Sequence, residues 1–422
     1  MQGEGSRNAP DVAEVLDRRL ATDAAEPIAV AFSGGGDSLA ALLATKAWAD
    51  RHGRRVLALC VDHRLQEQSG VWQDRAAATA ARIGASFRAL AWDGPKPDHG
   101  LPAAARVARH RLIAEAARRA GARVVVFGHT ADDLIEAERM RAEGLRVGSP
   151  REWGPSPVWP EGRGLFLLRP LLGVRRAAIR QALRRAGEAW IDDPANEDPR
   201  SPRARARLGL AGGGEPADPA SDDPELARLA RRATLSPHGY LRLDRNAMRR
   251  APGSAARKLL AAAALSVGGG ERPPRGDRLG RLLDAALAPE PFQATLAGSR
   301  IVGADNLLVV RDAGEIRRGG LASLDLLRAE AAVWDGRFEL TATRAGLTVR
   351  AMAGAIGRLD PAARAALNSL PAPARLAVPA LIEKADAPAS PILASSPTVR
   401  VVSLIASRFL AACGAISKEP AT

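Results

Sequence analysis

Four short, nearly all-apolar runs alternate with helical patterns over the first 190 residues, and this alternation restricts the fold more than any other feature. "PIAVAF" (27–32), "RVLALCVD" (55–62), "ASFRALAW" (85–92) and "ARVVVFGH" (122–129) read as strands. Between and after them the apolar period becomes helical, over Ser38 to Asp50, Val71 to Ile83, Ala103 to Ala120 and Asp132 to Arg141. Strands this apolar, separated by helices, imply a parallel sheet covered on both faces. The expectation is an α/β domain with a doubly wound parallel sheet, whose ligands bind at the carboxyl ends of the strands.

From Gly144 to Gly164 the pattern dissolves into Pro, Gly and Trp, then "LFLLRPLL" (165–172) resumes order and a basic helix follows from Val174 to Ala186. "LAGGGEPADPASDDPE" (210–225) has glycine, proline and acid without an apolar period, which marks a domain boundary. Beyond it, helical segments around 225–233, 252–266 and 277–288 precede a hairpin-like stretch, "QATLAGSRIVGADNLLVVRD" (293–312). A chain of 422 residues holds two or three domains of this kind. The division reads as a catalytic domain over 1–210, a helical middle domain over 222–320 and a small α+β domain over 330–422.

Composition removes several classes. Cys60 and Cys413 are the only cysteines, too few for a disulfide framework or a cysteine-based metal site. No apolar core follows a basic start in residues 1 to 20, and no later stretch is long and uncharged enough to span a membrane. A reducing, cytoplasmic setting with no membrane partner is expected. The formal charge of +14 suggests a polyanionic partner such as nucleic acid. Only five of the 61 basic residues are lysine, however, so an arginine-rich compositional bias is an equal source of that charge.

The first strand ends in Gly34-Gly35-Gly36 and feeds straight into a helix. Glycine lets the chain turn and lets a ligand approach the backbone, so a cluster of N–H groups at a helix N-terminus is offered to an anion. Ser33 and Ser38 add hydroxyl donors. A Walker A loop would need Gly-Lys-Ser/Thr here, and a dinucleotide fingerprint a third glycine three residues on, and neither is satisfied. Asp37 would repel a phosphate unless a cation bridges the two, and Mg2+ bound through one carboxylate plus substrate phosphates is such a bridge. The bland alternative is a tight turn with Asp37 as a helix cap.

"SGGGDS" (33–38) closely resembles the SGGxDS loop of the N-type ATP pyrophosphatases, the PP-loop family, which cleave ATP between its α- and β-phosphates to adenylate a substrate. "VDHRL" (61–65), "AARVARHR" (104–111), "GHTADDLIEAERMR" (128–141), "LLRPLL" (167–172) and "WIDDPANEDPRSPRARAR" (190–207) follow in the order and spacing of the tRNA(Ile)-lysidine synthetases. The similarity is strong over about the first 210 residues. Weaker echoes occur in "ATLAGSRIV" (294–302) and "LPAPARLAVPAL" (370–381).

The resemblance implies a ligase forming a carbon–nitrogen bond. The carbonyl oxygen at carbon 2 of the wobble cytidine, in the CAU anticodon of isoleucine tRNA, attacks the α-phosphate of ATP; diphosphate leaves, and the ε-amine of free lysine displaces AMP to give lysidine. ATP and Mg2+ are the implied cofactors, and both later domains are implied to bind tRNA. Carried over residue by residue, Asp37, Arg109 and Asp133 would be catalytic. Ser33, Gly34, Gly35, Gly36, Asp37 and Ser38 would hold ATP with Arg106 and His129, and Asp37 would hold the metal. Asp132, Asp133 and Glu136 would take lysine, and Arg200, Arg203, Arg205 and Arg207 the tRNA.

Residue chemistry gives each of these a second reading. Arg106 and Arg109 share a helix face, which suits phosphate oxygens or plain solvation. Asp132 and Asp133, at a helix start, could be caps, and His129 could be structural. Residues 163–207 hold eleven arginines against five acids, an excess placed where a tRNA backbone would lie. The chain departs from the family pattern at Arg64, Leu134, Ala137, Ala195 and Ser201, where Gly, Gln, Thr, Ser and an aromatic are usual. Aromatic residues make up 4% of the chain, so base stacking would fall to Trp153, Trp159, Trp190 or an arginine plane, with core or loop packing the alternative for each Trp. Other PP-loop tRNA-modifying enzymes and a catalytically lapsed tRNA-binding homologue are the competing functions; a thiolase would want a reactive cysteine, and Cys60 reads as core.

Overall fold

The computed structural model describes residues 11–66, 68–145, 147–192, 205–206, 223–319, 321–383 and 388–421. One compact unit comprises Met1–Asp222 with Ile416–Thr422, and a second comprises Asp223–Ala415.

The first unit is built on a six-stranded sheet. Its strands are β1 (Ile28–Ala31), β2 (Val56–Asp62), β3 (Ser86–Ala91), β4 (Val124–Phe127), β5 (Trp153–Pro155) and β6 (Phe166–Leu168), in the order β3-β2-β1-β4-β6-β5. All neighbours pair parallel except β5, which runs antiparallel to β6 at the edge. The helices are α1 (Val12–Arg19), α2 (Gly36–Arg51), α3 (Ser69–Ile83), α4 (Leu101–Arg119), α5 (Ala131–Ala142) and α6 (Arg176–Arg185). The doubly wound parallel sheet is therefore as expected. Edge strand β5 lies in a stretch expected to be irregular, and its Pro155 is tolerated because an edge position has an N–H side with no ladder partner to satisfy.

β4 is buried at all four positions, and β1 at its first three, so both faces of the central strands are covered. Ala29, Leu57, Leu59, Val125 and Phe127 join Ile113, Ala114 and Ala117 of α4 in one apolar cluster. Strand order reverses between β1 and β4. Adjacent parallel strands whose connections leave in opposite directions open a crevice at their carboxyl ends, and the loops that start at Phe32 and Gly128 border it.

The chain's last described segment closes this unit. Ile416 O accepts from Trp153 Nε1 at 2.8 Å, and Ser417 O accepts from Arg19 Nη1 at 2.8 Å. Glu419 takes Arg54 Nη1 and Nη2 at 2.6 and 3.0 Å and the Ala21 N–H at 2.9 Å. The side chains of Arg54 and Glu419 are 1% and 0% exposed.

In the second unit, β7 (Thr234–Leu235), β8 (Leu241–Leu243), β9 (Phe292–Leu296), β10 (Ser299–Gly303) and β11 (Leu307–Arg311) form an antiparallel sheet in the order β7-β8-β11-β10-β9. The helix Gly253–Gly268 packs on it through Leu259, Leu260 and Ala263 against Ile301, Leu307 and Val309. The hairpin-like stretch expected over 293–312 thus supplies three adjacent strands, β11, β10 and the edge strand β9, of a larger sheet. Two further three-stranded sheets occupy 324–403, and the helix Ile405–Ala412 returns Phe409 to the core around Leu259. No helix among the described residues is long and apolar enough to cross a membrane.

Candidate active site

The loop after β1 turns at Gly34, whose φ of 84° lies in the left-handed region that side chains avoid. Gly35 is the N-cap of α2 and supplies no capping side chain, so Gly36, Asp37 and Ser38 occupy the first helical turn. Ser38 Oγ donates to Gly35 O at 2.8 Å, and the Ser33 N–H reaches Ser38 Oγ at 3.2 Å. Asp37 does not cap its helix. Its carboxylate accepts instead from Arg176 Nε at 2.8 Å.

The space left by the missing side chains at 34 and 36 is used by the protein itself. A Cβ on Gly34 would lie 2.6 Å from Ile191 Cδ1, and one on Gly36 3.4 Å from Trp190. Ile191 N–H donates to Gly34 O at 2.9 Å, pinning that segment over the loop. Ser33 stays exposed and Gly35 half-buried, so the loop is not sealed. Trp190 is half-buried here, whereas Trp153 is core, stacked on Phe166 at 4.8 Å.

The turn after β4 comes against this loop. A Cβ on Gly128 would sit 2.4 Å from Asp37 O, so only glycine allows the two backbones to meet. His129 follows, its Nδ1 3.0 Å from Arg169 Nε. Thr130 and Asp133 then form a capping box, with Asp133 Oδ2 2.8 Å from the Thr130 N–H. Asp133 thus caps α5, and the same Oδ2 lies 3.4 Å from Arg176 Nη2.

Arg176 gathers the acids. Its Nε, Nη1 and Nη2 lie 2.8 Å from Asp37, 3.0 Å from Glu136 and 3.4 Å from Asp133. Its backbone N–H donates to Asp132 at 2.7 Å, and Arg175 adds Nη2 to Asp132 at 3.2 Å. Asp132, Asp133 and Glu136 are buried. Burial raises Asp37 above the usual carboxylate range even though the Arg176 guanidinium pulls it down. Burial disfavours the Arg176 cation, but Asp37, Asp133 and Glu136 together outweigh that and raise it above ordinary arginine.

Arg106 and Arg109 project from α4, Arg106 exposed and Arg109 half-buried. Burial, then the Arg109 charge, holds His63 of "VDHRL" below the ordinary histidine range, which puts Arg109 near the end of β2. Arg205 is exposed, and its neighbour Ala206 accepts Arg139 Nη1 of α5 at 3.2 Å. Arg200, Arg203 and Arg207 lie outside the described residues. Among the departures, Arg64 has φ 51°, a conformation suited to glycine, and Leu134 and Ala137 are buried in α5. Ala195 and Ser201 are outside the described residues.

Arg169, Arg175, Arg176 and Gly128 were not singled out by sequence reasoning. One signal was available for Arg175 and Arg176: two arginines at the start of a helix oppose the macrodipole, and so point to carboxylates elsewhere in the chain. Cys60 is core, 6% exposed, and burial pushes its thiol up to about 11.

Comparison with known proteins follows the same lines. Residues 8–211 match the family model of the PP-loop domain. The chain is 48% identical to the tRNA(Ile)-lysidine synthase of Caulobacter vibrioides over 417 residues, covering 97% of this chain and 99% of that protein. It is 36% identical to the enzyme of the same name from Brucella ovis, over 74% of each chain. Among solved structures, a U34-tRNA thiolase from Methanococcus maripaludis aligns at 14% identity and a TM-score of 0.40, over 48% of this chain and 71% of that one.

Proposed function

The chain belongs to the tRNA(Ile)-lysidine synthases, ligases that form a carbon–nitrogen bond, and from that premise we propose that the crevice between β1 and β4 carries the reaction. In this reading the wobble cytidine of isoleucine tRNA is adenylated through its carbon-2 oxygen by ATP, and free lysine then displaces AMP. The observation that carries it is the meeting of the Ser33–Ser38 loop with the Gly128–Asp133 turn at the strand-order reversal.

The N–H groups of the loop and of the first turn of α2 bind the diphosphate, helped by the hydroxyls of Ser33 and Ser38. Arg109, with Arg106, stabilises charge on the reacting α-phosphate, and His129 donates to the nucleotide. Asp37 offers a hard oxygen donor beside the loop amides, with Arg176 on Oδ2 alone among the described residues, and so fits Mg2+ held through one carboxylate and substrate phosphates. When bound, magnesium would offset charge on the leaving diphosphate.

Asp133 and Glu136 already hold one nitrogen cation, Arg176, and Asp132 holds another, Arg175, which supports the three acids taking the lysine ammonium. Asp133 also accepts the proton that the amine must lose before it attacks. Exposed Arg205, with Arg200, Arg203 and Arg207, receives the anticodon-loop backbone. In the second unit Arg272, Arg275, Arg278 and Arg281 are all exposed within ten residues, which supports tRNA contact there. The cytoplasm, where ATP, lysine and tRNA meet, is the expected setting.

Diphosphate release from ATP, with lysine and isoleucine tRNA present, tests the reading in wild type and Asp37→Ala. Release that requires the tRNA, accompanied by lysine incorporation and lost in the variant, is expected. Release without lysine incorporation points to another nucleophile, and tRNA binding with no release at all points to a lapsed enzyme.

A further inference from the structure

His129 stands in the crevice with its ring defined on two sides by groups that the reaction does not itself require. Phe127 lies under it, ring centroids 5.7 Å apart and planes 18° from parallel. Arg169, the residue after β6, directs Nε at its Nδ1 from 3.0 Å. Arg169 is 9% exposed and anchored: Nη1 donates to Arg151 O at 2.8 Å, its backbone N–H donates to Glu152 O at 2.8 Å, and its guanidinium lies 5.9 Å from the Phe127 ring centre.

A guanidinium has donors and no acceptor, so in this contact the imidazole nitrogen must be the acceptor. Nδ1 then carries a lone pair, and the single proton of the neutral ring sits on Nε2. Taking a second proton on Nδ1 would set N–H against N–H and cation against cation. Burial, then the charge of Arg106, pulls Arg169 down to about 10, which still leaves it protonated at neutral pH.

We propose that Arg169 is a positioning residue of the ligase: by donating to Nδ1 it fixes His129 in the tautomer that presents Nε2–H, so that His129 meets the nucleotide as a hydrogen-bond donor and not as a base. The proposal rests on His129 facing the nucleotide, as stated above. It also decides the role the ring can play toward that ligand, since the ring would act as a base through Nε2 only with its single proton on Nδ1.

Nitrogen-15 NMR of the full chain, labelled at histidine and assigned with His129→Asn, reads the tautomer directly. Wild type is expected to show an unprotonated Nδ1 and a protonated Nε2 at His129. Arg169→Met, which keeps bulk and removes the donor, is expected to mix the two tautomers and raise the KM for ATP about tenfold with a smaller change in kcat. Arg169→Lys, which retains a donor, should restore most of both. A wild-type ring protonated on Nδ1, or an unchanged tautomer in Arg169→Met, overturns the proposal. Wild-type kinetics in His129→Gln, with the expected tautomer present in the unmodified chain, instead overturns the nucleotide contact on which it rests.

Discussion

Arg176 Nε lies 2.8 Å from Asp37 Oδ2, and this one contact joins the start of α6 to the turn that opens α2. Because the same guanidinium also reaches Glu136 and Asp133, it holds the loop after β1 and the turn after β4 in one arrangement. Arg176→Met would leave buried acids without that cation, at a cost of about 3 kcal/mol. A lower melting temperature and a several-fold higher KM for lysine are expected. Arg176→Lys, a single nitrogen in place of a three-nitrogen fork, should recover only part of either.

Asp37 is an acid whose proton is held more tightly in the folded chain than in the unfolded one. The folded state therefore binds more protons as pH rises through the interval between the unfolded and folded values, and stability falls across it. At neutral pH the charged carboxylate is a net burden on the fold. Asp37→Asn should raise the melting temperature while removing tRNA-dependent diphosphate release. A melting temperature below wild type at neutral pH would contradict this.

Gly128→Ala places a methyl group 2.4 Å from the Asp37 carbonyl, a backbone atom that cannot swing aside. One loop must move, at a cost of about 1–3 kcal/mol. Displacement of the α2 turn should raise the KM for ATP at least tenfold, measured by diphosphate release, with tRNA affinity unchanged.

His110 is 4% exposed in α4, its ring 5.3 Å from that of Phe127, and burial, then Arg109, Arg106 and Arg169, pushes it down to about 3. Its folded value is depressed, so its contribution is full above about pH 6.5, where the unfolded histidine titrates. That contribution is lost as pH falls towards about 3. The linked loss is on the order of 4 kcal/mol. Urea unfolding of wild type between pH 7 and pH 4 should show a steep decline that His110→Phe flattens.

Glu419 and Arg54 form an ion pair with no solvent on either side chain. Removing only the acid leaves a buried guanidinium, so Glu419→Ala is expected to destabilise the first unit by about 3–5 kcal/mol, read from its unfolding midpoint. Pairing Arg54→Met with Glu419→Leu should recover most of that loss, because an apolar pair requires no desolvation of charge.

Alternating apolar runs and helical periods were sufficient to read β1 to β4 and α2 to α5, since each is decided by which of its own residues must leave water. The turn "SGGGDS" was equally legible, because left-handed backbone at Gly34 and an uncapped helix start are local properties. β5 was missed because an edge strand of three residues needs little apolar pattern. Arg176 read as part of a basic helix, and its place at the helix start, against the macrodipole, was the one local sign that distant carboxylates meet it.

The order of the elements and the chemistry of the loop thus follow from near neighbours along the chain, where hydrogen bonding and burial act over a few residues. The acids that meet Arg176, the His129 that meets Arg169 and the Arg54 that meets Glu419 lie between 40 and 365 residues from them. Charges so distant in sequence become neighbours only when strand order sets which carboxyl ends adjoin. Parallel pairing of β1 with β4 did that here, converting separate acids and arginines into one site.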